Sequence, residues 1–382
     1  MTAAFLSRAL TAAVAAILAL SLATAPAAAS GHGSSKPAEA KPEPPPPPKP
    51  PPPPPPPRPK PKPAQEVPAS GFDKVTFGTN WVAEGEHGGF FQAVADGTYK
   101  AYGLDVTIVP GGPNVNNRAL LIAGKIDFYM SANTLQSFDA VTNNVPVVAI
   151  AAMFQKDPQV FLTHPESKVE TLTDLKPLTL YISKEGIASY FQWLKSEYGF
   201  NEAKVKPYTS NAQPFIVDRN SAMQGYVTSE PFVIEQQAKF KPGVLLLADY
   251  GLDGYSTLIE TRRDLIDTKP GIVQRFVDAS IIGWYHYLYG DNSAGNAMIK
   301  QLNPEMTDAM LAYSVEKMKQ YGIVDSGDSL RDGIGAMSDA RYASFFDKMA
   351  RAGVVPRDLD FRKAYSLQFV NKGVGTDLRP AK

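Results

Sequence analysis

Residues 75–109 read VTFGTNWVAEGEHGGFFQAVADGTYKAYGLDVTIV, and this stretch decides the fold. Its apolar residues cluster over 75–81, recur at helical spacing over 87–102 and cluster again over 104–109. Gly103 ends the helical part, as glycine commonly does. The stretch therefore predicts a strand, a helix and a second strand, the unit from which parallel sheets are built.

The same alternation continues through the next 45 residues of the chain. Helices are predicted over 116–123 and 135–141, and strands over 126–130 and 145–154. Helices that connect successive strands cover both faces of a parallel sheet. We therefore predict a first α/β lobe.

A second, shorter set of strands and helices follows within residues 165–252. The predicted strands are 178–182, 204–208, 222–227 and 244–247. The predicted helices are 187–198, 213–219 and 230–239. This set is too short to follow the first lobe as a complete fold, so we interpret it as a second lobe inserted into the first.

A strand predicted at 255–261 returns the chain to the first lobe, and the rest is helical. The predicted C-terminal helices are 271–290, 294–302, 307–321 and 338–352. The fold class is therefore α/β with two lobes, each a mostly parallel sheet flanked by helices, and a helical C-terminal part. The first lobe comprises 71–164 and 253–382, and the second comprises 165–252.

Residues 1–29 have the pattern of a cleavable signal peptide. Arg8 precedes an apolar run over 10–23, and alanines at 27–29 suit a signal peptidase. A retained membrane helix would need about 20 apolar residues, and Pro26 ends this run earlier. The sequence therefore predicts export, and the absence of cysteine excludes a lipid-carrying anchor.

Residues 30–70 are predicted to be a disordered, proline-rich linker. Proline occupies 17 of the 23 positions in 41–63. It lacks an N–H and fixes φ, so this stretch favours a polyproline II rod of about 70 Å. Two roles stay open: a spacer, or a ligand for a partner or the cell wall that uses its basic residues.

Composition excludes several classes of function. The 38 basic and 38 acidic residues balance, which argues against binding nucleic acid or membranes through bulk charge. There is no cysteine, and the four histidines form no i,i+4 pair. No nucleophile elbow or phosphate-binding glycine loop occurs. We therefore predict no metal, no cofactor and no catalytic set.

The first strand-to-helix loop has the largest number of side chains that could contact a ligand. Two lobes joined by two crossings leave a cleft at the carboxyl ends of the strands. Trp81 offers a stacking face, Asn80 an amide, and His87 an imidazole near a helix start. Glycines at 88–89 would let backbone approach a ligand. Glu84 adds negative charge, which favours a neutral or cationic ring over an anion.

Three further loops carry polar residues that either cap helices or contact a ligand. The sequence leaves both roles open for each loop. The candidate residues are Ser131 and Asn133 in the second loop, Ser183, Glu185 and Gly186 in the third, and Glu230 in the fourth. We expect Trp81 to stack on the ring of the ligand. Asn80, with Glu185 or Glu230, would hydrogen-bond to the edge of that ring, and the other candidates would add further hydrogen bonds.

An ordered set of motifs resembles one family. These motifs are Asn80-Trp81 with His87, then Gly-Phe-Phe-Gln-Ala, Tyr-Gly-Leu-Asp-Val over 102–106, Ala-Gly-Lys-Ile-Asp over 123–127 and Ser-Glu-Pro over 229–231. The chain resembles solute-binding proteins of bacterial ABC importers, in the branch that includes nitrate, sulfonate and taurine receptors and thiamine pyrimidine synthases. The first loop is most similar to the pyrimidine-related members.

The resemblance implies a type II periplasmic-binding-protein fold that closes on a hinge. It implies a periplasmic, monomeric protein that hands a small molecule to an inner-membrane ABC permease and binds no nucleic acid. The expected ligand is a heterocycle, such as a thiamine-precursor pyrimidine or a related vitamin or nucleobase-like ring. A sulfonate or nitrate is the alternative ligand, and a periplasmic sensor domain is an alternative role.

The same superfamily contains a pyridoxal-phosphate-dependent thiamine pyrimidine synthase, from which this sequence departs. Ser131 stands where that enzyme has its lysine, and Leu135 where it has a histidine four residues on. Its cysteine-rich iron motif has no counterpart here. The resemblance therefore implies a binding protein rather than an enzyme.

Overall fold

A computed structural model of the chain describes residues 71–112, 115–209 and 211–381. The signal peptide and the proline-rich linker lie outside these residues, so both stay predictions. Among the described residues, no helix is both long and apolar enough to cross a membrane.

The strands, numbered in chain order, alternate with helices along most of the chain. The strands are β1 Asp73–Gly78, β2 Leu104–Val109, β3 Phe128–Asn133, β4 Val147–Phe154, β5 Gln159–Thr163, β6 Thr179–Ile182, β7 Val205–Pro207, β8 Ser221–Tyr226, β9 Gly243–Leu246 and β10 Ser256–Arg262. The α-helices are α1 Gly88–Ala95, α2 Thr98–Ala101, α3 Asn117–Ile122, α4 Thr134–Thr142, α5 Lys184–Ala188, α6 Tyr190–Tyr198, α7 Gln213–Val217, α8 Glu230–Ala238, α9 Arg263–Thr268, α10 Pro270–Tyr289, α11 Ser293–Leu302, α12 Asp308–Gln320, α13 Ser329–Asp332 and α14 Asp339–Arg351.

Short 3₁₀ helices occupy several of the connections. They are Gly85–His87, Pro165–Ser167, Leu172–Leu175, Glu202–Lys204, Leu247–Tyr250, Phe361–Ala364 and Thr376–Leu378. The first of them stands in the loop that the sequence singles out, between β1 and α1.

The strands form two five-stranded mixed sheets, one in each lobe. The first has the order β2-β1-β3-β10-β4 and the second β7-β6-β8-β5-β9. In the first, β10 runs antiparallel to β3 and β4, and in the second, β5 runs antiparallel to β8 and β9. The remaining pairs are parallel.

The antiparallel strands are those that follow a crossing between the lobes. β4 ends at the edge facing the other lobe, and β5 starts from that edge. On the way back, β10 likewise starts at the edge where β3 ends, with Ser256 opposite Asn133. A strand that enters from the carboxyl edge of its neighbours must run opposite to them, so each crossing adds one antiparallel strand to a sheet that is otherwise parallel.

Strand β5 was not anticipated from the sequence. Its five residues are all buried and pair with both β8 and β9 in the second sheet. The first crossing is therefore 155–158, ahead of the boundary predicted between 164 and 165. The rest of the predicted division into lobes stays a prediction.

Helix α10 packs its aromatic side chains across the first sheet and α1. The ring of Phe276 stacks on that of Phe128 with a centroid distance of 4.0 Å. Gly88 and Gly89 lie under this helix, where a Cβ would overlap the rings of Tyr287 and Trp284. The two glycines therefore serve close helix packing, which differs from the expected approach of backbone to a ligand.

The helix predicted over 87–102 is two helices in the structure. Gly97 has φ +80°, a left-handed conformation that breaks the helix between α1 and α2. The carboxylate of Asp96 accepts hydrogen bonds from the Thr98 amide at 2.9 Å and the Thr98 hydroxyl at 2.6 Å. It also contacts Nδ1 of His286 at 2.8 Å, which anchors this turn to α10.

Candidate functional site

A cavity lies where the two chain crossings meet the facing edges of the sheets. Its volume is about 30 Å³, which holds only a few water molecules. Both lobes contribute to its wall. So do the first crossing, 155–158, and the second crossing, which is the segment just before β10. The lining residues are Asn133, Leu135, Asp157, Gln159, Ser189, Tyr190, Tyr226, Leu252, Gly254, Tyr255 and Phe345.

Asp157 places a buried carboxylate in this cavity. It belongs to the first crossing and is 7% exposed. Oδ1 accepts a hydrogen bond from the Gln159 amide at 3.0 Å. Burial raises the pKa of Asp157 to about 6, while hydrogen bonds from Gln159 and the Asn133 side chain oppose the rise. The carboxylate is therefore largely ionised at pH 7.

Asn133 connects helix capping with the cavity. Its Oδ1 accepts a hydrogen bond from the amide of Leu135 at 3.1 Å and caps α4. Its side chain also opposes the rise in the pKa of Asp157. The two roles that the sequence left open for this residue are thus compatible, because one end of the amide caps the helix while the residue lines the cavity.

Aromatic rings form much of the remaining wall. Tyr190 comes from α6 and donates its hydroxyl to Oε1 of Gln224 at 2.8 Å. Tyr255, in the second crossing, donates to Asp328 at 2.5 Å. Phe345 comes from α14 and is 3% exposed. Such rings can enclose a planar ligand and present their electron-rich faces to a positive charge.

The guanidinium of Arg341 packs against the cavity-lining ring of Tyr255 and hydrogen-bonds to Gln155 and Asp253. It sits 4.2 Å from the centre of the Tyr255 ring. It donates to the carbonyl oxygen of Asp253 at 2.7 Å and to the carbonyl oxygen of Gln155. These two carbonyls belong to the two crossings, so Arg341 ties the crossings together.

The first loop lies at the interface between the lobes. Glu86, in the 3₁₀ helix, accepts a hydrogen bond from the hydroxyl of Thr228 in the loop after β8. The hydroxyl of Ser314 in α12 donates to the carbonyl oxygen of Thr228 at 2.8 Å. The loop after β8 is therefore held by the first loop on one side and by a C-terminal helix on the other.

Closure brings several carboxylates together at this interface. Burial, followed by the charges of Glu86 and Glu230, raises the pKa of Glu84 well above its usual value. Burial also raises the pKa of Glu86, with the Thr228 hydrogen bond opposing it. Tyr226 connects this cluster to the cavity: burial and the charges of Asp157, Glu84, Glu230 and Glu86 raise its pKa well above its usual value. The residues in and around the cavity therefore include four carboxyl groups, those of Glu84, Glu86, Asp157 and Glu230.

His87 does not offset this negative charge. It is 1% exposed, and burial lowers its pKa to about 3. Its Nε2 lies 3.7 Å from Oε1 of Glu84, and its Nδ1 is buried without a hydrogen-bond partner. The imidazole is therefore neutral at physiological pH, and burial is the main cause.

The structure does not bring Trp81 or Asn80 to the wall of the closed cavity. The Trp81 side chain is 41% exposed, and its carbonyl oxygen accepts hydrogen bonds from the Thr79 hydroxyl at 2.7 Å and the Gly111 amide at 2.9 Å. Asn80 is half-buried, with Oδ1 lacking a hydrogen-bond partner. A ligand role for these two residues stays a prediction.

The candidates of the third loop have local structural roles. The hydroxyl of Ser183 accepts a hydrogen bond from the Gly186 amide at 3.0 Å and caps α5. Gly186 is buried, and a Cβ there would press against the ring of Tyr190. Glu185 is exposed. This loop therefore supports the Tyr190 side of the cavity without lining it.

Ser131 and Glu230 also lie behind the cavity wall. Ser131 is completely buried beside Glu260, within the first lobe. Oε2 of Glu230 accepts hydrogen bonds from the Tyr226 amide at 2.6 Å and the Ser229 hydroxyl at 2.7 Å. Of the ten candidate residues, Asn133 alone lines the cavity, and the binding roles of the others stay predictions.

Sequence reasoning missed most of the residues that line this cavity. The missed residues with polar or aromatic side chains are Asp157, Gln159, Ser189, Tyr190, Tyr226, Tyr255 and Phe345. One signal was available for the first of them: an Asp-Pro pair closely follows the wholly apolar β4. A carboxylate just past a buried strand marks the point where the chain leaves the sheet for the second lobe.

The donor set of the cavity favours one charge class of ligand. Its lining contains a carboxylate, two amides, a serine and several phenols, and includes no lysine, arginine or histidine. Among the described residues, no group of three or more acidic, histidine or cysteine side chains could hold a metal ion. The cavity thus supplies one carboxylate, neutral groups that donate and accept hydrogen bonds, and aromatic faces, and its lining lacks a cation to pair with an anionic ligand.

Solved structures with a similar fold include binding proteins and an enzyme. The periplasmic aliphatic sulphonate binding protein SsuA from Escherichia coli has 14% identity and a TM-score of 0.57, covering 77% of this chain and 92% of its own. A Candida albicans gene product with the generic periplasmic binding protein fold has 17% identity and a TM-score of 0.53, covering 78% and 98%. The desulfurization enzyme DSZB has 12% identity and a TM-score of 0.52, covering 80% and 99%.

These similarities confirm the predicted two-lobed periplasmic-binding-protein fold. Among the curated proteins, none matches this sequence. The family described as NMT1/THI5 like matches residues 84–291, which is more than half of the chain and includes the second lobe and both crossings. The chain therefore belongs to the NMT1/THI5-like family, within the superfamily that its motifs indicate.

Proposed function

We propose that this protein is the exported solute-binding component of an ABC importer, and that it captures a small, uncharged or weakly basic planar heterocycle between its lobes. The observation that carries the ligand class is the cavity wall, where the buried carboxylate of Asp157 lies among aromatic rings without a basic residue. A thiamine-precursor pyrimidine or a related vitamin or nucleobase-like ring is flat enough to lie against these aromatic rings, and its polar edge can hydrogen-bond to this carboxylate.

The two-lobed fold provides a way to enclose the ligand. In two-lobed binding proteins a hinge closes the lobes around the ligand, and here the lobes are connected by two crossings. The 30 Å³ cavity is too small for a heterocycle, so entry requires the lobes to part at the Glu86–Thr228 contact. Closure around the ligand would form the surface that an inner-membrane permease recognises on a monomeric, periplasmic protein.

A binding role fits these residues better than a catalytic one. The desulfurization enzyme DSZB shares the fold, so the fold alone does not distinguish the two roles. The buried hydroxyl of Ser131 occupies the position where the related synthase has its lysine, and Leu135 lines the cavity where that enzyme has a histidine.

A sulfonate is the second candidate ligand, because the Escherichia coli relative of the same fold is an aliphatic sulphonate binding protein. The electrostatics of this chain oppose it. A buried anion needs paired cations or several N–H donors, and burying it beside an ionised carboxylate adds repulsion. Asp157, which lines the cavity, would act against it in this way.

A thermal-shift screen tests the proposal. The panel contains aminopyrimidines, flavins, nucleobases, alkanesulfonates and nitrate, each at 1 mM. A ligand at 100 times its Kd stabilises the folded form by about 2.7 kcal/mol, which raises Tm by roughly 4 °C in a chain of this size. A rise with a heterocycle supports the proposal, and a rise with an alkanesulfonate or nitrate alone contradicts it. Mass spectrometry of the co-purifying ligand is an independent check.

A further inference from the structure

We propose that the contact between the first loop and the loop after β8 is a proton-linked latch, which holds the lobes together near neutral pH and lets them part as the solution becomes alkaline. The latch consists of Glu84 and Glu86 on the first lobe and of Thr228 and Glu230 on the second. It concerns the parting of the lobes in the unliganded protein, so it does not depend on the ligand class proposed above.

The first step is the way in which the two lobes touch. Glu86 is 4% exposed and accepts a hydrogen bond from the hydroxyl of Thr228, which is 0% exposed. Ser314 of α12 supports this contact, because its hydroxyl donates to the carbonyl oxygen of Thr228 at 2.8 Å. Ser314 also packs against Gly85, where an added Cβ would lie 2.7 Å from its own Cβ. Parting of the lobes therefore takes a donor away from Glu86 and exposes its carboxyl group to water.

The second step is the charge that the contact brings together. Glu230 begins α8 in the second lobe, and its negative charge acts on both Glu84 and Glu86 in the first loop. Among the residues that the structure describes, no lysine or arginine forms an ion pair with any of these three carboxyl groups. Contact between the lobes therefore places like charges together where little water reaches them.

The third step is the linkage of this contact to protons. Burial, followed by the charges of Glu86 and Glu230, raises the pKa of Glu84 well above 4.5, and burial also raises the pKa of Glu86. With the lobes apart, water and the greater distance from Glu230 return both groups toward their usual pKa. The form with the lobes in contact thus binds protons that the open form releases. Its advantage is full below about pH 4.5 and is lost as pH rises through the raised pKa values.

The side chains packed around the latch do not reverse this sign in alkaline solution. Burial raises the pKa of each tyrosine that lies near the carboxyl groups, so all of them stay neutral up to pH 9. These tyrosines are Tyr208, Tyr226, Tyr287 and Tyr313. On α12, Lys317 lies 5.2 Å from the centre of the Tyr313 ring and pairs with the exposed Glu316 at 3.1 Å.

His87 and Asp157 also titrate outside the alkaline range. His87 is neutral with the lobes in contact, and an imidazole exposed to water is largely neutral above pH 7 as well. Burial raises the pKa of Asp157 to about 6, so this carboxylate is already ionised at pH 7. Between pH 7 and pH 9 the latch therefore responds through Glu84 and Glu86.

The test measures the distance between the lobes by double electron–electron resonance of two spin labels. The chain contains no cysteine, so Gln237→Cys on α8 and Ala309→Cys on α12 supply the two labelling sites. Both positions are exposed. Without ligand, the ratio of short to long distances should fall about tenfold from pH 7 to pH 9, the change that a tenfold difference in proton affinity between the two forms produces.

Glutamine variants in the labelled protein assign this response to the latch. Glu84→Gln and Glu86→Gln keep the shape of the side chain and an oxygen that accepts hydrogen bonds, but they do not titrate. Each should weaken the response to pH, and the double variant should keep the short distance at both pH values. Glu235→Gln is the matched control, because Glu235 is exposed on the helix that Glu230 begins. It should respond as the unsubstituted protein does, and thermal unfolding checks that every variant folds.

Three results would overturn the latch. They are a distance distribution that does not change from pH 7 to pH 9, a ratio of short to long distances that rises with pH, and a response that persists in the folded double variant. None of them bears on the ligand class, because the measurement contains no ligand. Conversely, a thermal-shift screen in which an alkanesulfonate alone raises Tm contradicts the heterocycle proposal and leaves the latch standing.

Discussion

The carboxylate of Glu86 accepts a hydrogen bond from the hydroxyl of Thr228, and this bond joins the first lobe to the second. Both side chains are buried, at 4% and 0% exposed. The carbonyl oxygen of Thr228 is held in turn by Ser314 of α12. The contact fixes the lobes in the closed arrangement and makes that arrangement depend on a carboxylate removed from water.

Removal of the Thr228 hydroxyl should destabilise the closed protein. Thr228→Val keeps the shape of the side chain and leaves the Glu86 carboxylate buried without this donor. We expect the free energy of unfolding at pH 7.5 to fall by about 1–3 kcal/mol, measured by urea denaturation. Thr228→Ser retains the hydroxyl and serves as the control. Equal stability of the valine variant and the wild type would show that the bond contributes nothing.

Glu84 should oppose folding at high pH. Burial and the charges of Glu86 and Glu230 raise its pKa above the usual 4.5, so the folded protein retains a proton that the unfolded chain has released. The resulting penalty is full above the raised pKa and disappears as pH falls below about 4.5. Glu84→Gln should therefore raise Tm at pH 8 by about 1–2 °C, which corresponds to roughly 1 kcal/mol in a chain of this size.

Thermal scans of Glu84→Gln and wild type at half-unit pH intervals check this sign. The difference in Tm should be largest at pH 8 and close to zero at pH 4. A difference that grows as the solution becomes more acidic would contradict the raised pKa.

His87 has a pKa shifted in the opposite sense. Burial lowers it from 6.5 to about 3, so the unfolded chain binds a proton that the folded protein excludes. Its contribution to stability is present above pH 6.5 and is lost as pH falls from there toward 3. By NMR, the His87 ring resonances should not titrate between pH 5 and 8 in the folded protein. The same histidine in 8 M urea is the control, and a folded-state midpoint near 6.5 would sink the prediction.

Gly89 should be intolerant of a methyl group because of helix packing. An added Cβ would overlap the indole of Trp284, so Gly89→Ala should lower the free energy of unfolding by about 1–3 kcal/mol. Gly271 in α10 has no heavy atom within 4 Å of such a Cβ. Gly271→Ala should leave stability unchanged or raise it by up to about 1 kcal/mol. Chemical denaturation of the two variants under one condition compares them directly.

The fold could be predicted from sequence because its signals are local. The strand predicted at 104–109 is confirmed as β2. Apolar and polar residues alternate along it, and this alternation indicates that one face of the strand is buried in a sheet. The direction of β10 was not predictable in this way. It depends on where the chain re-enters the first lobe, which is a property of the crossings rather than of the strand.

The cavity was less accessible to sequence reasoning because distant segments form it. Phe345 and Tyr190 lie in amphipathic helices, where an aromatic residue that packs in the core has the same spacing as one that lines a cavity. Asn133 was found because it stands at the end of a strand, at the cleft edge. Trp81 was chosen for its chemistry, and the structure leaves it 41% exposed in the loop after β1.

Arg341 gives the molecule a single pivot. Its guanidinium donates to the carbonyl oxygens of Gln155 and Asp253, one in each connection between the lobes. A displacement of one connection relative to the other would therefore break a hydrogen bond to this side chain. Arg341 thus couples two segments that lie about a hundred residues apart in the sequence.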